Sequence, residues 1–241
     1  MDSTKSGHHI SGQFDIEIEY IRDQVLSMGG LVEQQVKFAI QAFINGDPEQ
    51  AEKVIRQDKQ VHLYGTILDQ KCAEILALRQ PAAFDLRMLI AAIKIIIELE
   101  RIGYFAEYTA IKSINLSSVE KKTESCPEVQ HLYKLNKKLL HDVLNAFAQQ
   151  NINNINAIIT QYRNIAREYI LIFRQLSARM SENPRDIQRT MHLLSTVRDI
   201  ERIAEHAFHI FEYVVYLVKG ENIRHLSAEE IARKFAKRDK P

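Results

Sequence analysis

Apolar side chains recur at steps of three and four residues along almost the whole chain, which is the period of an α-helix that buries one face. From Phe14 onward the pattern predicts helices over residues 14–45, 48–78 and 82–114. After a polar stretch at 115–127, read as a linker, it predicts helices over 129–149, from about 154 to 180, and over 185–219. Only 8 Gly and 5 Pro leave few turns for a β-sandwich or barrel, so the chain is predicted to be all-α.

Local signals mark where these helices begin and end. Asp47 before Pro48 is typical of an N-cap followed by proline in the first helical turn. Pro81 and Pro184 interrupt the helical pattern, because proline cannot continue an interior helical ladder. Gly220 suits a C-cap, and Ser227 followed by Ala-Glu-Glu predicts a capping box that opens a short tail helix.

A repeated segment indicates an internal duplication. Residues 97–104 read IELERIGY, and residues 198–205 read RDIERIAE, so each half carries a Glu-Arg-Ile core in its third helix. The chain is therefore predicted to form two tandem three-helix bundles, over 1–118 and 119–241, with the short tail helix in the second. A helix stacks residues i and i+4 on one face. The second copy thus pairs Glu201 with Glu205, whereas the first pairs Glu100 with Tyr104.

Composition and charge restrict the function classes. A net charge of +1 in 241 residues argues against a dedicated nucleic-acid-binding protein. Cys72 and Cys126 form no spaced metal or redox motif and fit a reducing compartment. The N-terminus lacks the apolar region of a signal peptide, and the apolar run at 88–99 is too short to span a bilayer. We therefore expect a cytoplasmic protein that does not insert into membranes.

The strongest candidate for metal binding by residue pattern is a stripe of acidic and histidine residues in the last long helix. Glu201, Glu205 and His209 lie at i, i+4 and i+8, and oxygen plus imidazole ligands suit iron, zinc or manganese. One helix cannot complete a coordination sphere, so such a site needs ligands from a facing helix. The alternative is that the acids form ordinary ion pairs and that His209 is a partly buried polar residue.

No pattern in the chain indicates an enzyme. There is no nucleophile–base pair, no phosphate-binding glycine loop and no dinucleotide motif. A di-iron bundle would need Glu-x-x-His motifs from two helices. Phe208 stands three residues after Glu205, and Glu128 with His131 is a lone match. The apolar segment 211–216 (FEYVVY) fits either a dimer or partner interface or plain intramolecular core.

Seven segments together resemble the PhoU family, the phosphate-specific transport accessory proteins of bacteria. They are 9–14 (HISGQF), 29–35 (GGLVEQQ), 79–87 (RQPAAFDLR), 98–103 (ELERIG), 141–147 (HDVLNAF), 200–203 (IERI) and 216–225 (YLVKGENIRH). The resemblance implies a cytoplasmic, often dimeric adaptor of two bundles. It would link the ATPase of the phosphate ABC transporter to a phosphate-sensing histidine kinase and repress the phosphate-starvation response. A paralogue with eroded metal sites that regulates another transporter or kinase remains the alternative.

The family also implies an acidic signature on the third helix of each repeat, Glu/Asp-x-x-x-Asp, which binds metal clusters in some members. In the first repeat the resemblance assigns Asp58, Glu100 and Glu107 to such a site. Tyr104 and Gly65 stand where two further acids are usual.

In the second repeat the signature is Glu201 followed by Glu205, with His209 as a further candidate ligand. The acid that the family supplies from the second helix is replaced by Tyr162. These departures predict that little metal binds at either signature.

Overall fold

Helices account for nearly all of the chain in the computed structural model, which describes residues 6–119 and 126–236. The long helices are α1 (Ser6–Asn45), α2 (Pro48–Arg79), α3 (Ala83–Val119), α4 (Pro127–Gln149), α5 (Ile155–Glu182) and α6 (Ile187–Lys219). A short 3₁₀ turn (Pro184–Asp186) precedes α6, and α7 (Ala228–Ala236) closes the described chain. The all-α prediction is confirmed.

The predicted helix ends are mostly confirmed by capping contacts. Asp47 Oδ1 accepts a hydrogen bond from the Gln50 amide at 3.0 Å, and Gly220 ends α6 with a positive φ of 71°. The capping box at α7 is reciprocal. The Ser227 amide donates to Glu230 Oε2 at 2.7 Å, and the Glu230 amide donates to Ser227 Oγ at 3.3 Å.

Two predicted boundaries were wrong. Helix α1 begins at Ser6 rather than at residue 14, and α3 continues to Val119 through residues assigned to the linker. The apolar face of α3 in fact persists, because Leu116 is buried and Ser113 Oγ donates to the Ala42 carbonyl at 2.8 Å. The polar composition of 115–119 hid that continuation. Linker residues 120–125 lie outside the described residues.

The helices form two bundles that pack side by side. Helices α1, α2 and α3 pack together in the first bundle and α4, α5 and α6 in the second, while α7 packs on α5. Contacts of α1 with α4 and of α3 with α6 join the bundles. Phe43 and Phe147 occupy equivalent places in the duplication, and both are fully buried. The predicted domain boundary at 118/119 falls at the end of α3.

The apolar segment 211–216 is core rather than surface. Phe211, Val214 and Val215 are fully buried, Tyr213 is 6% exposed, and Tyr216 is partly buried. The interpretation of this segment as intramolecular core is therefore confirmed. Among the helices described, none is long and apolar enough to cross a membrane.

Two adjacent glycines in α1 provide a matched test of the contact between α1 and α4. A Cβ on Gly29 would lie 2.9 Å from Leu144 Cδ2, whereas a Cβ on Gly30 would meet nothing within 4 Å. Gly30→Ala should raise the free energy of unfolding by about 0.8 kcal/mol, because alanine favours a helix over glycine. Gly29→Ala should be at least about 1 kcal/mol less stable than Gly30→Ala, since overpacking cancels that gain. Urea denaturation measures both, and equal stabilities would contradict the close approach of the bundles.

Candidate functional site

Helices α3 and α6 run antiparallel where the bundles meet, and polar pairs cross between them. Near one end of this seam, the Nε of the partly buried Arg87 donates to the Leu217 carbonyl at 3.1 Å. Near the other end, Lys112 Nζ lies 2.5 Å from Asp199 Oδ2, and Thr109 Oγ1 donates to the same oxygen at 3.2 Å. Burial raises the pKa of Asp199, and the charge of Lys112 opposes that rise. The seam thus contains charged groups that are paired across the bundles.

The middle of the seam holds a cluster of one carboxylate and two imidazoles. Glu98 Oε2 lies 2.6 Å from His206 Nδ1 and 3.4 Å from His209 Nδ1. Tyr213 Oη lies 3.5 Å from the other carboxylate oxygen, and the Phe105 ring lies against the His206 ring at 5.6 Å. Glu98 is 7% exposed. A carboxylate buried this deeply needs such partners, because its charge has lost its water.

The electrostatics of the cluster follow from its geometry. Burial by itself would raise the pKa of Glu98, but the hydrogen bonds from His206 and His209 hold it at about 2. The hydrogen bond between His209 and Glu98 also raises the pKa of His209. Glu98 is therefore ionised across the physiological range, and it presents a negative charge to both imidazoles.

The first acidic signature lies on a different face of α3. Two of its acids contact His62, which the sequence analysis did not predict. His62 Nε2 lies 3.3 Å from Asp58 Oδ2, and His62 Nδ1 lies 3.5 Å from Glu100 Oε1. Gln35 Nε2 donates to Asp58 Oδ1 at 2.9 Å. Asp58 is buried, whereas His62 is exposed. The predicted pair Asp58 and Glu100 is thus brought together, with an imidazole between its carboxylates.

Two further positions complete the first signature. Burial and the charge of Asp58 raise the pKa of Glu107, the third predicted residue, which is half-buried on the same helix as Glu100. A Cβ on Gly65 would lie only 2.4 Å from Glu100 Oε1. The Glu100 carboxylate thus occupies the space that a side chain at position 65 would take. The acid that was expected at position 65 would therefore collide with Glu100, and glycine at this position leaves room for the Glu100 carboxylate.

In the second signature, protein groups surround the acids. Burial and the neighbouring Glu205 raise the pKa of Glu201, while Glu205 is hydrogen-bonded by Arg202. The Tyr162 ring stacks on the Phe208 ring with centroids 4.3 Å apart and planes 7° from parallel. Burial, together with the charges of Glu205 and Glu201, raises the pKa of Tyr162. A phenol therefore lies within electrostatic reach of both carboxylates, at the position where the sequence comparison led us to expect an acid.

Glu201, Glu205 and His209 do not come together as one group of ligands. Among the described side chains, Glu98, His206 and His209 form the group in which three potential ligand atoms all lie within 4.8 Å of one another. Eight residues of an α-helix turn about 80° past two full turns. His209 consequently rotates away from Glu201 toward α3. The stripe prediction named His209, which lies in this cluster, and did not name Glu98 or His206.

The fold and these clusters define a class of protein: a duplicated, two-bundle helical protein whose charged sites lie between helices. A family model described as the PhoU domain matches residues 25–111 and again residues 129–214, one match in each bundle. The chain belongs to the PhoU family.

Individual relatives agree over nearly the full length. The chain is 39% identical over 231 residues to a phosphate-specific transport system accessory protein PhoU of Edwardsiella tarda, covering 96% of this chain and 95% of that one. A crystal structure of PhoU from Pseudomonas aeruginosa superposes with a TM-score of 0.82 at 38% identity, covering 86% of this chain and 100% of that chain. The phosphate transport system regulatory protein PhoU of Streptococcus pneumoniae gives 0.80 at 26% identity, covering 87% and 98%.

The second signature generates a gain-of-function test. Tyr162→Asp places a third carboxylate beside Glu201 and Glu205, and carboxylate oxygens suit Mn²⁺. We expect weak Mn²⁺ binding by the wild type at this signature and an affinity at least about tenfold higher in the variant, equivalent to about 1.4 kcal/mol. Isothermal titration and the EPR signal of free Mn²⁺ measure both.

Two further variants control the interpretation. Tyr162→Asn loses the same ring and its stack on Phe208 but adds no charge, so it should show no gain. Adding Glu201→Gln to Tyr162→Asp should remove the gain. An equal gain in Tyr162→Asn, or one that survives Glu201→Gln, would show that the extra ion binds elsewhere.

Proposed function

We propose that this protein regulates phosphate uptake as an accessory protein of a phosphate-specific transport system. The observation that carries the proposal is the family relationship, which extends over both bundles and nearly the whole chain. The relatives are named for that role, and one solved structure is named as a regulatory protein of phosphate transport. The protein would act by binding other proteins and not by catalysis.

In finer detail, the protein would connect two partners in the cytoplasm. One is the ATPase of the phosphate ABC transporter, and the other is the phosphate-sensing histidine kinase. When phosphate is plentiful, the complex would repress the phosphate-starvation response, which makes the protein a negative regulator. It would act as a homodimer.

Exposed apolar side chains on α3 support a role in protein recognition. Ile97, Tyr104, Tyr108 and Ile111 are each between 37% and 49% exposed. Their spacing of seven, four and three residues puts them on one side of the helix. Contiguous exposed apolar residues occur at protein-binding surfaces more often than on ordinary solvated faces.

The replaced acids favour one alternative. Tyr104, Gly65 and Tyr162 stand at positions where the family pattern has carboxylates, while the residues that specify the fold are retained. A paralogue that regulates a different transporter or kinase would show this pattern. The two functions differ in their partners and in the response that they control.

Deletion of the gene separates the two proposals. If the protein is the negative regulator, cells lacking it should express phosphate-starvation genes while phosphate is plentiful, and a plasmid copy should restore repression. Expression of an alkaline phosphatase reporter measures this, with the empty plasmid as control. Normal repression in the deletion strain would contradict the proposed role.

Purified proteins test the contacts directly. The chain should form a complex with the purified phosphate transporter ATPase and with the cytoplasmic part of the kinase, measured by size-exclusion chromatography with light scattering. The same measurement reports whether the chain alone is a dimer. An ATPase from an unrelated transporter is the control. If the chain bound this control ATPase and not the phosphate transporter ATPase, the result would favour the paralogue.

A further inference from the structure

The seam cluster has the composition of a metal site, and it lies apart from both acidic signatures. Its two imidazoles are three residues apart on α6, which places them side by side on one face of that helix. Its carboxylate comes from α3, in the other bundle. Neither bundle could form this group alone.

We propose that Glu98, His206 and His209 bind one divalent transition-metal ion of the zinc type, which joins the two bundles. This site goes beyond the regulatory role proposed above, and it does not depend on the identity of any partner.

The donor set supports this chemistry. Two imidazole nitrogens and one carboxylate oxygen, all within 4.8 Å of one another, are the three protein ligands of one common kind of zinc site. With zinc–ligand bonds of about 2.1 Å, tetrahedral ligands lie about 3.4 Å apart. The distance from His209 Nδ1 to Glu98 Oε2 is already 3.4 Å, and the 2.6 Å distance from His206 Nδ1 must open by less than an ångström. Side-chain rotation can supply that change.

A second buried carboxylate, Glu212, lies near the cluster on α6. Glu212, one turn after His209, is 6% exposed, and its Oε2 accepts no hydrogen bond from the described residues. Arg224 Nε is 3.7 Å from that oxygen, which is an ion-pair distance but too long for a hydrogen bond. Burial raises the pKa of Glu212, the charges of His209 and Arg224 oppose that rise, and the charge of Glu98 adds to it. A divalent ion bound at Glu98 would add positive charge near Glu212.

The rings are held in position without the ion. The Phe105 ring packs against His206, and the His206 and His209 rings meet edge to face at 5.7 Å. Both Nδ1 atoms point to the same carboxylate oxygen. Ligands fixed in this way lose little conformational freedom when they bind an ion.

Zinc titration of the chelator-stripped, full-length protein tests the site. The wild type should bind one Zn²⁺ per chain in competition with a fluorescent chelator, and its Tm should rise on addition of Zn²⁺. His206→Gln, His209→Gln and Glu98→Gln should each weaken binding by about 100-fold or more and abolish the Tm rise. The matched control is His141→Gln, since His141 faces Glu33 at 3.4 Å across the α1–α4 contact but belongs to no group of three ligands among the described side chains. That variant should bind Zn²⁺ like the wild type.

A second measurement keeps the test decisive if the seam variants fail to fold. Co²⁺ bound to the wild type should give the intense visible absorption of a tetrahedral site with nitrogen ligands. Anomalous scattering from zinc-soaked crystals should place the ion between α3 and α6. The proposal is overturned if the wild type binds no Zn²⁺, which would leave Glu98 and its histidines as an ion pair only. It is equally overturned if His62→Gln abolishes binding while His209→Gln does not.

Discussion

The antiparallel contact of α3 with α6 holds the two bundles in one register through polar pairs. Three of the polar connections that cross it are Arg87 to the Leu217 carbonyl, Glu98 to two histidines, and Lys112 to Asp199. Sliding one helix by a turn, about 5.4 Å, would separate all three at once and leave buried charges without partners. Apolar contacts alone tolerate such slippage far better. The charged pairs therefore fix the register of one bundle against the other, and the apolar core supplies the bulk of the stability.

The same two helices also carry the acidic signatures, and helical geometry keeps these roles apart. Glu98 and Glu100 differ by two positions, which turns their side chains about 160° away from each other. One faces the seam, and the other faces α2 and His62. A third side of α3 contributes Leu99 and Ile102 to the core. A single helix thus takes part in the bundle, the seam and the signature without conflict.

Local sequence signals predicted the helices well, because period, proline breaks and caps such as Asp47 act within a few residues. The polar composition of residues 115–119 wrongly predicted a linker, because α3 continues through them and buries Leu116. The seam cluster was beyond prediction for a different reason. Glu98 and His206 are 108 positions apart, and they meet only through the register of two bundles. Only the spacing of His206 and His209 on one helix was available as a signal. For His62, the signal was its place four residues after Asp58.

The two signatures differ in their acids, while both bundles match the same family model. In each one, protein groups contact the acids: His62 lies between Asp58 and Glu100 in the first, and Arg202 donates a hydrogen bond to Glu205 in the second. A buried carboxylate needs a compensating charge, but a metal ion and a cationic side chain can both provide it. Imidazoles from this chain lie beside Glu98, where the ligand set is mixed and spans both bundles. Borderline metals prefer such a set over carboxylates alone. His62 offers a different nitrogen to each acid of the first signature, whereas the three ligand atoms of the seam cluster converge. An ion at the seam would act on the arrangement of the bundles instead of on one bundle's surface.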